Sequence, residues 1–292
     1  EGPLYALRLA TGAASAATFV AGGVLAARLA APSRRPGLVL GIFYGGTGLG
    51  IVASALGLPL VLQGGGAHAW QPGWWLLAAL ALLATPLMDR GARAVPAAPP
   101  AVAGAAAAPW RRLGLGLAGY TCFGVGYIGY MTFIVTLLRE QQLSAGTVTA
   151  FYALLGTGVM ASSFIWAGLL QRQRGGGALA RLNGLLALAT VLPVWWTAAP
   201  VAFVSGALFG GVFLSVVAST TALVRHNLPP TAWPAGISAF TTVFAAGQIV
   251  GPTLVGLVSD QGGLRQGLAW SAAALALGAL LASFQRPLDR SA

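Results

Sequence analysis

The sequence contains no lysine, a single cysteine and five acidic residues, Glu1, Asp89, Glu140, Asp260 and Asp289. Without lysine there is no Gly-x-x-x-x-Gly-Lys-Ser/Thr phosphate loop, and His-Glu-x-x-His is also missing. Cys122 alone can form neither an internal disulfide nor a cysteine cluster. With only His68 and His226 beside it, a dedicated metal site has too few ligands, so neither a metal nor a cofactor is expected. Charged residues make up 7% of the 292, against about 25% in a soluble domain. Apolar residues make up 57%, and the mean hydropathy is +0.79. A water-soluble globule is thereby excluded, as is enzyme chemistry built on clustered His, Asp or Glu.

What is present instead is a series of apolar runs bounded by Pro, Gly and Arg. They fall at about 4–29, 37–62, 73–88, 113–138, 147–170, 182–199, 201–224, 233–258 and 266–284. Each matches the roughly 20 residues that cross a bilayer core as a helix, so the expected fold is all-α and polytopic, with nine transmembrane helices. All 16 basic residues are arginine, and their distribution is uneven. The odd connections and the tail hold Arg28, Arg34, Arg35, Arg90, Arg93, Arg111, Arg112, Arg172, Arg174, Arg181, Arg225, Arg286 and Arg290; the even ones hold Arg139 and Arg265. By the positive-inside rule the odd connections and the C-terminus are cytoplasmic, and the net charge of +11 reports topology rather than nucleic-acid binding. Most tryptophans (Trp70, Trp74, Trp75, Trp110, Trp195, Trp196, Trp233 and Trp270) lie near span ends, as an aromatic belt requires.

The segment 89–112, with Pro96, Pro99, Pro100, Gly104 and Pro109, reads as a flexible cytoplasmic linker. It separates three spans (1–88) from six (113–286), followed by a tail (287–292). The first apolar run begins almost at residue 1 without a positive n-region, so the chain reads as cut at its front end.

An internal repeat adds to this. Gly41-Ile-Phe-Tyr-Gly45-Gly-Thr47-Gly-Leu-Gly50-Ile-Val52 and Gly247-Gln-Ile-Val-Gly251-Pro-Thr253-Leu-Val-Gly256-Leu-Val258 share Gly, Gly, Thr, Gly and Val in register. Small residues four apart let helix backbones approach in a membrane, so Gly12, Gly41, Gly45, Gly50, Gly247, Gly251, Pro252 and Gly256 are expected to pack or gate. Recurrence six spans apart fits two parallel halves.

The nine spans resemble spans four to twelve of a major facilitator superfamily transporter. Arg8-Leu-Ala-Thr-Gly12 resembles the fourth-span Arg-x-x-x-Gly signature, Gly41 to Gly50 the glycine-rich fifth-span motif, and Gly251-Pro252 the family's Gly-Pro pair. "GIFYGGTGLGI" and "FGVGYIGYMTFI" are similar to the bacterial YbfB/YjiJ-type branch. The Gly-x-x-x-Asp-Arg-x-Gly loop departs: it reads Gly168-Leu-Leu-Gln-Arg172-Gln-Arg174-Gly175, with arginine where the acid belongs. The resemblance implies a bacterial inner-membrane secondary transporter working by alternating access, its partners being a small molecule, a coupling proton or other ion, and lipid, with the protein itself monomeric.

Candidate site residues follow from periodicity. Arg8, Thr11, Ser15 and Thr18 form one polar stripe, read as contacting substrate or a coupling acid, or else as Arg8 snorkelling to the outer surface. Tyr120, Phe123, Tyr127 and Tyr130 share an arc on the fourth span, read as facing a wet central cavity, the alternative being an aromatic packing stripe. Gly124, Gly126 and Gly129 would soften that helix for gating. Gln248, with Thr241 and Thr242 nearby, needs a hydrogen-bond partner in the membrane, and Ser205, Phe209 and Phe213 could line the same cavity. His68 and His226 read as solvated or interfacial. A ten-span drug/metabolite-type exporter and a polytopic protein without transport are the alternatives, the first disfavoured by the linker after span three.

Overall fold

The computed structural model describes residues 2–62, 68, 70–95, 110–140, 142–196 and 198–288, and these are largely helical, with no strand among them. In chain order the helices are α1 (Gly2–Ala30), α2 (Pro36–Val61), α3 (Gln71–Arg93), α4 (Gly114–Glu140), α5 (Ala145–Ile165), α6 (Ala167–Arg172), α7 (Gly177–Trp195), α8 (Ala199–Asn227) and α9 (Trp233–Ser283). Eight are long and apolar enough to cross a membrane, so the chain is an all-α polytopic membrane protein. The expected linker falls mostly on 96–109, and the end of the tail on 289–292, outside the described residues.

One boundary differs from the sequence reading and one is kept. The expected span 147–170 is α5 and α6, separated at Trp166, whose Nε1–H donates to the Gly211 carbonyl at 2.6 Å. The expected spans 233–258 and 266–284 are the two arms of α9, two helices joined by a turn at Gly263 (φ 79°, ψ 167°). Only glycine adopts that conformation without strain, and it turns the chain back on itself. A Cβ at Gly267 would meet Val255, and both arms of α9 lie on α4, one through Phe244 and Gly247, the other through Ser271 and Leu275. The hairpin therefore supplies two of the expected passes.

Close crossings hold the helices together. A Cβ at Gly124 would lie 2.6 Å from the Phe244 carbonyl oxygen and 3.2 Å from the Gly247 Cα. At Gly126 it would lie 2.6 Å from the Ser271 carbonyl oxygen, and at Gly251 the same distance from that of Val125. The glycines of α4 are thus contact points with both arms of α9. Dispersion at such short separations drives association in lipid, where apolar burial gives no advantage.

The repeat packs at two of its three glycines in each copy. A Cβ at Gly41 would lie 2.8 Å from the Ser163 carbonyl oxygen on α5, and Gly45 faces the Ser163 hydroxyl; Gly247 and Gly251 face α4. Gly50, Gly256 and Gly12 meet open space in this structure. The matched glycines have different partner helices, so the shared spelling records a shared way of packing rather than one contact made twice. Pro252 lies inside the first arm of α9, and having no N–H it leaves the Gln248 carbonyl without its helical bond.

The arginine-rich connections share one end of the molecule. There Gln171 Nε2 donates to the Arg34 carbonyl at 3.5 Å, and Asn227 Nδ2 to that of Arg174 at 2.7 Å. Gln285 Nε2 donates to the Arg112 carbonyl at 2.9 Å while its Oε1 accepts from Gly116 N–H at 3.0 Å, and the Gln285 carbonyl accepts from Gly176 N–H at 2.8 Å. Side-chain amides on backbone groups close this end. The one salt bridge among the described residues is exposed, Arg93 to Asp89 on α3.

Candidate functional site

α8 is the axis on which the site is built. Every residue from Val212 to Val224 is buried, on all sides of the helix, the mark of a central element. Four of these are hydroxyl residues, Ser215, Ser219, Thr220 and Thr221. Ser219 and Thr220 return their hydrogens to the Val216 and Val217 carbonyls. Thr221 Oγ1 meets the Tyr44 hydroxyl of α2 at 2.7 Å. The Tyr44 ring lies against Phe19 of α1, with centroids 5.8 Å apart. This is where α1 and α2 reach the axis.

Beside this contact, along α8, α4 and α9, stands an aromatic wall. Tyr120, Phe123 and Tyr127 of α4 stack in sequence, at 5.3 and 4.9 Å. Phe244 of α9 lies 5.2 to 5.4 Å from all three, Phe213 of α8 lies 5.1 Å from Tyr127, and Tyr130 stacks on Phe209 at 4.1 Å. Offset stacking at these separations is favourable, about 0.5–1.5 kcal/mol per pair beyond area burial. The hydroxyls have protein partners. Ser205 Oγ donates its one hydrogen to the Ala189 carbonyl at 2.7 Å, so the Tyr130 hydroxyl, 2.7 Å away, donates to Ser205. Gln248 Nε2 donates to the Tyr127 hydroxyl.

The expectation of a wet cavity beside this stripe is therefore replaced, in this conformation, by the packing alternative: Tyr120, Phe123 and Tyr130 are fully buried and Tyr127 is 6% exposed. Gln248, Ser205, Phe209 and Phe213 do gather at the same wall. Thr241 and Thr242 do not; their hydroxyls bond the Ile237 and Ser238 carbonyls of their own helix.

The α1 stripe lies elsewhere. Arg8, Thr11, Ser15 and Thr18 are exposed, and Thr11 and Thr18 bond the Leu7 and Ala14 carbonyls, each at 2.8 Å. The Arg8 guanidinium sits 5.3 Å from the ring centre of Trp74 on α3, a cation–π contact. His68 is hydrogen-bonded with Gln71 at 3.3 Å, and His226 lies 3.3 Å from the Leu170 carbonyl oxygen at the arginine-rich end.

Between the two groups of helices runs the α2–α5 seam. From the arginine-rich end upward, Gly37 meets Ala167, Gly41 and Gly45 meet Ser163, and Gly48 meets Gly156 and Val159. The Ser163 hydroxyl donates to the Gly41 carbonyl at 2.7 Å. The last tight contact is Val52 against Gly156, 2.8 Å from a Cβ there. Beyond it the helices part around a cavity of about 450 Å³ lined by Ser54, Ala55, Leu58 and Pro59 of α2, Arg139 and Leu143, and Ala145, Val148, Thr149 and Tyr152 of α5.

Sequence reasoning passed over Tyr44 and Thr221. Tyr44 stands inside the glycine motif, but its partner is 177 residues away, beyond the reach of any local spacing.

Residues 3–283 match the family described as the uncharacterised MFS-type transporter YbfB. None of the curated protein sequences matches. Among solved structures, the fold is similar to that of the human organic anion transporter MFSD10 (TETRAN), with a TM-score of 0.56 and 16% identity over 91% of this chain and 81% of that one. With its membrane-length helices and a family match over nearly its whole length, the chain belongs to the YbfB-type family of MFS transporters.

Proposed function

We propose that the protein is a secondary active transporter that moves a small molecule by alternating access, coupled to an ion gradient, with its C-terminus on the cytoplasmic side of a bacterial inner membrane. The observation that carries this reading is the asymmetry of the α2–α5 seam, zipped by glycine contacts from Gly37 to Val52 and open beyond. Such a seam has two complementary arrangements, closed at one end and open at the other, as rocking of two bodies around a midplane site demands. The arginine excess at the zipped end supports its cytoplasmic assignment.

Arg8, Thr11, Ser15 and Thr18 are proposed to meet substrate or the coupling ion, since an ionisable group in hydrocarbon is costly unless it serves function. Tyr127 and Gln248 form the neutral polar contact at the aromatic wall, which suits an amphipathic or aromatic molecule, and the neighbouring fold of an organic anion transporter is in keeping with an anion paired to Arg8.

Spin labels test the reading directly. In the Cys122→Ala background, one pair of cysteines replaces Ala55 and Thr149 at the open end, and a second replaces Leu38 and Gln171 at the zipped end. In proteoliposomes under imposed proton or sodium gradients, the two distances are expected to change in opposite senses. Distances that stay fixed under every gradient, or lengthen together, overturn alternating access.

A further inference from the structure

The parted end of the α2–α5 seam carries chemistry that transport alone does not call for. Its cavity of about 450 Å³ falls in the roughly 300–1,000 Å³ range of small-molecule sites. Its walls are mainly apolar, through Ala55, Leu58, Pro59, Leu143 and Val148. The polar groups on them are largely engaged: Ser54 donates to the Gly50 and Ile51 carbonyls at 2.9 and 3.1 Å, and the Tyr152 hydroxyl faces the Met131 carbonyl at 3.5 Å. At the rim stands Arg139, the basic residue of this connection.

Arg139 is exposed and forms no salt bridge, since among the described residues only Arg93 and Asp89 are so paired. Its neighbour Glu140 leaves the helix about 100° away, and adjacent positions on a helix do not face each other. A guanidinium offers planar, bidentate donors to a carboxylate or sulfate, and that preference is chemical rather than merely electrostatic. An unpaired guanidinium at the mouth of an apolar cleft between membrane helices is complementary to a molecule with one anionic head and an apolar body.

We propose that this cleft binds an amphiphilic organic anion, its head on Arg139 and its apolar body between Leu58 and Val148. The head chemistry is shared by a free amphiphile and by an anionic lipid, and occupancy of the cleft is a separate matter from flux.

The chain's single cysteine makes occupancy measurable. In the Cys122→Ala background, Ser54→Cys places a thiol on the cleft wall, where serine bonds only its own helix. The full chain is placed in phosphatidylcholine nanodiscs, and the rate of maleimide labelling at position 54 is followed with decanoate or with decyltrimethylammonium. Decanoate is expected to protect the thiol and its cationic counterpart to leave it reactive. Arg139→Gln is expected to raise the protecting concentration of decanoate about tenfold, and Arg139→Lys to raise it less. Phosphatidylglycerol in the nanodisc separates the sources: protection without added decanoate assigns the site to a lipid headgroup, and protection only with it assigns the site to a free amphiphile. Equal protection by the two ions, protection unchanged in Arg139→Gln, or no protection by any anion overturns the proposal. Because labelling does not read flux, each of these results leaves the transport reading to its own test.

Discussion

The first three helices and the following six solve the problem of living in lipid differently. α3 buries a single residue, Gly73, and α1 is exposed from Gly2 to Thr18 before burying parts of its second half. In the six-helix group α8 is enclosed, and the glycines of α4 lie so close to backbone on both arms of α9 that an added Cβ would clash. One group is a compact body; the other touches it along α2 and the lower half of α1. An interface made along one edge can be closed at one end and open at the other without disturbing the body, and in this conformation the α2–α5 seam is zipped at one end and parted at the other. The contrast predicts where substitutions unfold the protein and where they alter its movement.

The largest effect is expected inside the body. Gly124→Val would drive a branched side chain into the Phe244 carbonyl and the Gly247 Cα, backbone atoms with nowhere to go. Overpacking a filled crossing costs about 1–3 kcal/mol and can exceed it, so the variant should lose its monodisperse peak in size-exclusion chromatography or melt far below the parent. If it melts like the parent, the α4–α9 crossing is not the tight contact described.

Next comes Arg8→Ala, in the loose group. Among the described residues Arg8 rests on the Trp74 ring alone, a contact of about 0.5–1 kcal/mol at an exposed site. Membrane insertion and melting should therefore change little, while flux in proteoliposomes should fall by about tenfold or more, the effect of about 1.4 kcal/mol. Normal flux would return Arg8 to an interfacial role and leave the coupling group to be found on another helix.

A pair of tyrosines sharpens the comparison further. Tyr130→Phe removes the donor to Ser205 within the body, and a net hydrogen bond there is worth about 1 kcal/mol. Tyr44→Phe removes the contact between α2 and Thr221, across the two groups. The first should lower the melting temperature; the second should leave melting nearly unchanged and shift the spin-label distances toward opening at the arginine-rich end. Equal effects on melting would mean that the two groups form one rigid body.

The sequence made much of this visible, and the gaps have physical causes. Helical spacing alone gathers Tyr120, Phe123, Tyr127 and Tyr130 on one face, and the structure keeps them there. Spacing says which residues share a face but not what the face meets, so a stripe read as facing a wet cavity is filled by Phe213 and Phe244. The break in hydropathy between 258 and 266 marks two passes, and the chain does turn there; what composition does not say is which residue takes the positive φ, here Gly263. Charge counts were more reliable: the arginine-rich connections do meet at one end, since that asymmetry is a property of whole loops rather than of individual contacts.

The smallest expected effect is the most discriminating for the repeat. Gly50 and Gly256 occupy its third glycine position, and in both copies a Cβ would meet nothing within 4 Å. Gly50→Ala and Gly256→Ala add a methyl to open space and replace the residue with the greatest backbone entropy by the best helix former, a gain of about 0.5–1 kcal/mol in a helix interior. Both variants should melt at or slightly above the parent temperature, whereas Gly41→Ala and Gly247→Ala, whose added carbon would lie 2.8 and 2.6 Å from backbone oxygens, should melt below it. A drop for the third-position variants as large as for the first would place another helix or a second copy against those positions, and the repeat would then be a continuous packing seam instead of two contacts and an open face.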